Sequence, residues 1–146
     1  MQYFILMLQE IPKVGVLIGI DYGDVRTGIA FSDYNQKIIV PNGVYGPKSH
    51  IVDIVVDLIE SRGVVGAIIG WPLNMKGEEA FQCQVVQEFI NDLFVKWEGP
   101  IHKIDERLSS SYVRSVYSGG VTFKADDALC AMSFLETFIT KRNNMK

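Results

Sequence analysis

The sequence predicts an α/β domain on a mixed five-stranded sheet, antiparallel on one side and parallel on the other, flanked by helices. Three observations carry that expectation. Apolar runs at 16–20, 27–32 and 37–40 follow one another with only short turns between them, the pattern of a meander. Two further apolar runs, 65–69 and 100–104, are each framed by segments of helical periodicity. The chain has 146 residues, 48% of them apolar, which is enough for one domain with a real core and too short for two.

Taken in order, residues 1–14 read as an N-terminal extension that packs as an extra strand or is partly disordered, with Met7 an alternative start. Its apolar run Tyr3-Phe4-Ile5-Leu6-Met7-Leu8 has no preceding Lys or Arg, and Gln9-Glu10 closes it without a small-residue cleavage site, so it is not an export signal. It also falls far short of the roughly 20 apolar residues that span a membrane. A single domain is expected over 15–142, with 143–146 as a tail. After the three strands, 48–62 carries Ile51, Val52, Val55, Leu58 and Ile59 at helical spacing and stops at Arg62-Gly63. The second helix, 78–97, bears an apolar stripe through Phe81, Val85, Phe89 and Leu93. A short helix over 109–117 and a last one over 126–140 complete the pattern.

Charge excludes a general attraction to polyanions. Fourteen Lys and Arg against 17 Asp and Glu leave a formal net charge of −3, so nucleic acid would need a local basic patch or bound metal ions. Cys83 and Cys130 fall within predicted helices without CxxC or Cys/His spacing, which argues against a disulfide framework or a zinc site. Reduced thiols and a cytoplasmic location follow, with no membrane partner.

Candidate chemistry gathers at strand ends. Asp21-Tyr22-Gly23-Asp24-Val25-Arg26-Thr27-Gly28 leaves a buried strand with a carboxylate at its tip, and Gly23 and Gly28 suit a tight reversal and close backbone approach. Asp21 either serves a metal or phosphate site there or ends the strand and caps the turn. Ile104-Asp105-Glu106-Arg107 leaves the fifth strand with two acids and a base, and spacing does not say which acid faces inward. On the last helix, Asp127 shares its face with Ala131, Phe134, Leu135 and Phe138, so it is aimed at the sheet rather than Asp126. The alternative for both is a helix N-terminus enriched in acids for dipole reasons.

Four ordered motifs carry a resemblance: Gly19-Ile20-Asp21-Tyr22-Gly23, Ile69-Gly70-Trp71-Pro72-Leu73-Asn74-Met75-Lys76-Gly77, Asp105-Glu106-Arg107-Leu108-Ser109-Ser110 and Asp127-Ala128-Leu129-Cys130-Ala131. From about Val16 to Phe138 the chain resembles the YqgF family of bacterial nucleases, proteins described as pre-16S rRNA nucleases or Holliday junction resolvase-like. The resemblance implies an RNase H-like fold and a catalytic set at Asp21, Glu106 and Asp127. Two departures stand out. Trp71 replaces a smaller apolar residue, as a stacking platform or as local core, and Ser118 to Lys124 is poorer in basic residues than the family loop.

That implied set makes chemical sense. Three carboxylates in one cleft repel unless a divalent cation neutralises them, and oxygen ligands suit Mg²⁺ or Mn²⁺. A two-ion site on Asp21, Glu106 and Asp127 would support endonucleolytic hydrolysis of a phosphodiester. Arg26, Asn74, Lys76, Arg107 and Lys124 are the candidates for substrate contact, although Arg107 has a second reading as a surface ion pair with Asp105 or Asp24. The implied partners are precursor rRNA or branched DNA, with ribosomal components beside them, bound by a monomer or weak homodimer. Two rival classes remain. An Asp-x-Gly strand-turn-strand also opens the phosphate loop of actin-like and sugar-kinase folds, which need two such domains. A non-catalytic RNA-binding or ribosome-assembly module would use the same fold without cleavage.

Overall fold

The structure, a computed structural model, describes residues 10–108 and 126–145. Residues 1–9, the expected helix at 109–117, the Gly119-Gly120 segment and Lys124 lie outside the described residues.

Five strands, β1 (Val16–Asp21), β2 (Thr27–Ser32), β3 (Ile39–Tyr45), β4 (Val64–Trp71) and β5 (Ile101–Asp105), form one sheet in the order β3-β2-β1-β4-β5. β1 to β3 pair antiparallel, whereas β4 and β5 join parallel to β1 and to each other. This is the mixed sheet expected from a meander followed by crossover units. The crossovers are α1 (Ile51–Arg62), entered through a 3-10 turn Lys48–His50, and α2 (Phe81–Lys96); the last helix is α3 (Asp126–Asn144). α1 stops where Gly63 takes a left-handed φ of 63°, which returns its N–H to the carbonyls of Glu60 and Ile59.

The sheet separates two apolar layers. Ile18, Ile20, Ile29, Phe31 and Ile69 pack against Val55, Ile59, Phe89, Ile90 and Leu93 of α1 and α2. Leu17, Ala30, Ile68 and Ile104 face Ala131, Phe134 and Leu135 of α3. The two-residue alternation of each strand assigns its side chains to one layer or the other. Cys130 and Ser133 are buried as well, so the buried arc of α3 is wider than the face shared with Asp127. Cys83 and Cys130 are both free and buried.

Several boundaries differ from expectation for physical reasons. β3 runs on through Pro41, Asn42 and Gly43, because an edge strand tolerates a proline without an N–H, and a bulge between Ile29 and Ala30 absorbs the extra residue. α2 begins at Phe81 rather than Glu78: residues 74–78 close on themselves instead, the Asn74 N–H donating to the Glu78 carbonyl at 3.0 Å and the Asn74 side chain accepting from the Glu78 N–H at 2.9 Å. α3 continues past Thr140 to Asn144. Residues 10–14 form no strand; Ile11 packs against the α3 layer instead. Among the described residues, no helix is long and apolar enough to cross a membrane.

Candidate active site

Asp21 is the last residue of the central strand, and the periodicity of β1 turns it toward α3. Gly19, two residues earlier, proves the face: a Cβ there would lie 2.4 Å from the Ala131 carbonyl oxygen of α3. Asp21 is paired with Gly28 of β2, and Gly70 follows Ile69, the β4 residue paired with Ile20. Each glycine makes room for one further acid. A Cβ on Gly28 would sit 2.1 Å from the backbone carbonyl of Asp127, so the start of α3 rests directly on β2. A Cβ on Gly70 would meet the Glu106 Oε1 at 2.7 Å and the Phe134 ring at 2.5 Å. Glu106 therefore reaches back from the 3-10 turn Glu106–Leu108, over β4, toward the same face. Asp21, Glu106 and Asp127, from three distant segments, end at one edge of the sheet on one of its faces.

Side chains within this frame are held apart. Among the described residues, no three His, Cys, Asp or Glu side chains converge closely enough to hold a metal ion. Asp127 turns its Oδ2 to the Arg26 Nε at 2.7 Å. Arg26 sits in the turn between β1 and β2, which closes so tightly that a Cβ on Gly23 would lie 2.4 Å from the Arg26 carbonyl oxygen. A residue expected to contact substrate is thus the counter-charge of an acid expected to hold metal.

Asp105 and Glu106 have different environments. The Asp105 carboxylate accepts from Arg107 at 2.8 Å and 3.1 Å through the guanidinium and at 2.9 Å through the backbone N–H. The side-chain bond from Arg107 holds the Asp105 carboxyl below its ordinary value and, in return, raises Arg107. This is one of the two ion pairs expected for Arg107; the other acid named for it, Asp24, pairs with Lys48 at 3.9 Å.

The loop after β4 packs on this pair. Gly77 has φ 79°, and a Cβ there would be 3.3 Å from the Arg107 Nη atoms. The Asn74 side chain accepts from the N–H groups of Lys76 and Glu78, both at 2.9 Å, so Asn74 shapes the loop that carries exposed Lys76 toward Arg107. Trp71 is partly buried against the α1 and α2 layer, with the Lys103 Nζ 3.9 Å from its ring centroid.

Tyr22 lies on the opposite face, stacked on Phe89 with centroids 4.4 Å apart. Burial, then Asp24, Asp92 and Glu88, raise its pKa. It borders a cavity of about 530 Å³ between the sheet and α1 and α2, which the Asp21 cluster does not line. The sequence pattern missed Gly70 as a cradle, although a glycine inside an isoleucine-rich strand is the kind of signal that marks close approach.

The chain and its fold have known counterparts. A family model described as "RuvX: Holliday junction resolvase" matches residues 15–141. A Rickettsia conorii protein named "Putative pre-16S rRNA nuclease" is 31% identical over 151 residues, covering 99% of this chain and 96% of the relative. A Chloroflexus aurantiacus protein of the same name is 34% identical over 97 residues, covering 65% of this chain and 63% of its own length. Thermus thermophilus RuvC superposes with a TM-score of 0.58 at 11% identity over 88% of this chain and 96% of that chain. RuvC in complex with a Holliday junction substrate gives 0.57 at 12% identity over 90% of this chain and 98% of that chain. At such identity the likeness speaks for the fold, an RNase H-like one. With a family model matched from the start of β1 into the last turns of α3, the chain belongs to the RuvX family.

Proposed function

We propose that the chain is a metal-dependent endonuclease that hydrolyses nucleic-acid phosphodiester bonds, with precursor 16S rRNA as its substrate. One observation carries the reading: Asp21 is flanked on the sheet by two glycines that admit Asp127 on one side and Glu106 on the other. Three carboxylates on one face offer the oxygen donors that Mg²⁺ or Mn²⁺ takes, and binding would have to draw together side chains that stand apart without the ion. Asp21, Glu106 and Asp127 would hold a two-ion site, which would supply an activated water and stabilise the leaving oxygen in an in-line displacement.

The protein's own groups do the rest. Arg26 neutralises Asp127 while no cation is bound, which lowers the repulsion between acids brought onto one face. Its remaining N–H groups, with Lys76 and Arg107 across the cleft, would hold backbone phosphates through charge-assisted hydrogen bonds. Hydrolysis forms a phosphorus–oxygen bond to water and breaks the one to the neighbouring sugar, leaving a phosphate monoester and a free hydroxyl. Precursor rRNA is the first substrate because of the relatives' names; branched DNA is the second reading, favoured by the description of the matched family.

The deciding assay incubates purified protein with a precursor 16S 5′-end RNA and with a four-way DNA junction, each in Mn²⁺ and in EDTA. Cleavage of the RNA in Mn²⁺, abolished in EDTA and in Asp21→Asn, is the expected result. Cleavage of the junction alone transfers the assignment to branched DNA. Tight RNA binding by the parent and no cleavage of either substrate would replace the nuclease by a binding module.

A further inference from the structure

The opposite pole of the molecule, where β1 begins and α3 ends, carries a built positive site. Gln36 is 4% exposed and adopts φ 58°, an uncommon conformation for a residue with a side chain. Its amide Nε2 donates to the carbonyls of Pro12 at 2.8 Å and Gly15 at 2.9 Å, and its Oε1 accepts from the Arg142 Nη2 at 2.7 Å. The Arg142 guanidinium also lies 5.3 Å from the Phe138 ring centroid, and its Nε is buried with no hydrogen-bond partner among the described residues. Arg142 is thus fixed in place, its Nη1 also reaching the Pro12 carbonyl at 3.5 Å.

Lys13, Lys37 and Arg142 surround a cavity of about 200 Å³ whose other walls are Asn35, Gln36 and Asn143. That volume is several times the roughly 30 Å³ of one water, and among the described residues no carboxylate lines it. Asp33, an acid on the same loop, is occupied by the N–H groups of Lys37 at 2.7 Å and Ile38 at 2.9 Å. Arg142 also borders a second cavity with His102, Lys103 and Lys141, where the acid in the wall, Asp105, is held by Arg107. The dipole of α3 explains basic residues in its own last turn. It does not explain Lys13 and Lys37, which come from two other segments. In a chain of net charge −3, three cations around one cavity, with no described carboxylate in its wall, are an anion site.

We infer that this cradle is a phosphate-binding subsite that takes a backbone phosphate of the nucleic acid whose cleavage is proposed at Asp21. The inference rests on that proposal, and it adds a second anchoring point and a length requirement. α3 joins the two poles over 19 residues, about 28 Å at 1.5 Å per residue. At about 3.4 Å per base pair, that distance is roughly eight base pairs of duplex. A short stem can occupy one pole and never both.

The test uses Lys13→Gln/Lys37→Gln, which leaves Arg142 and its buried Gln36 partner untouched, with Lys96→Gln as a control for charge removal elsewhere. Binding is measured by fluorescence anisotropy in EDTA, where the probes survive, across a salt series. The probes are hairpins with stems of about 5 and about 16 base pairs in DNA and RNA form, chosen to fall below and above the rise-derived span. The expected result is weaker binding of the long stems, with a salt slope shallower by about 0.9 for each duplex phosphate that is no longer neutralised, and unchanged binding of the short ones. Lys13→Arg/Lys37→Arg should behave as the parent, and the melting temperature should not move. Unchanged long-stem affinity and slope, or an equal loss on both stem lengths, overturns the subsite. A parent that binds none of the probes overturns the nucleic-acid reading itself, which is a separate outcome.

Discussion

The Arg26 pairing makes Asp127 energetically unequal to Asp21, and single substitutions should separate the two. The Arg26–Asp127 pair is 43% and 23% exposed at its side chains, so solvent screens it and its contribution is about 0–1 kcal/mol. Without metal, Asp127→Asn should therefore lose stability by no more than about 1 kcal/mol. Asp21→Asn removes one charge from a face that gathers acids and should be neutral or slightly stabilising. Urea melts of both variants in EDTA check this, and a loss above about 3 kcal/mol in either would identify a structural acid whose removal leaves a buried charge unpaired. Asp21 and the close-approach glycine Gly28 were legible from the strand-turn-strand pattern. The Arg26 pairing was not, because its partner lies 101 residues away and leaves no local periodicity to read.

At the scale of elements, the packing of α3 on β2 sets the position of the site. Gly28 cannot accept a side chain unless the Asp127 backbone moves, whereas Gly63, which ends α1, has no described atom within 4 Å of a notional Cβ. Gly28→Ala should cost about 1–3 kcal/mol by forcing α3 outward. Gly63→Ala should cost about 1 kcal/mol for its left-handed backbone alone. The distinguishing measurement is the Mn²⁺-induced rise in melting temperature, expected to vanish in Gly28→Ala and to persist in Gly63→Ala. A persistent rise in both would detach the site from this packing. The mixed character of the sheet and the two crossover helices were readable because long apolar periodicities report which surfaces are buried, whereas the strand order was not. Element ends were not: Pro41 inside β3 and Glu78 before α2 obey an edge position and an Asn74 hydrogen bond, which are tertiary facts.

For the molecule as a whole, the acids belong to the first strand, to the turn after the fifth and to the last helix. A cation shared among them, as proposed, would tie the beginning of the domain to its end, so its binding free energy should appear in global unfolding. At Mn²⁺ one hundred times its dissociation constant, the gain should be about 2.7 kcal/mol, read as a shift in the urea midpoint with unchanged slope. Asp21→Asn should show none, and an equal shift in parent and variant would place the ion elsewhere. The mixed sheet has one more consequence. Because β2 returns antiparallel to β1, the chain must cross from Asp21 to Thr27 in a short, sterically closed hairpin, and that flank of the cleft is covalently fixed. β4 runs parallel, so its tip opens into the long connection that carries Asn74, Lys76 and Gly77 before α2 starts. Any widening or narrowing of the cleft to suit a bent, branched or single-stranded polymer would therefore fall on the β4 flank, and under the proposed function the hairpin flank would be the reference edge against which the scissile bond is aligned.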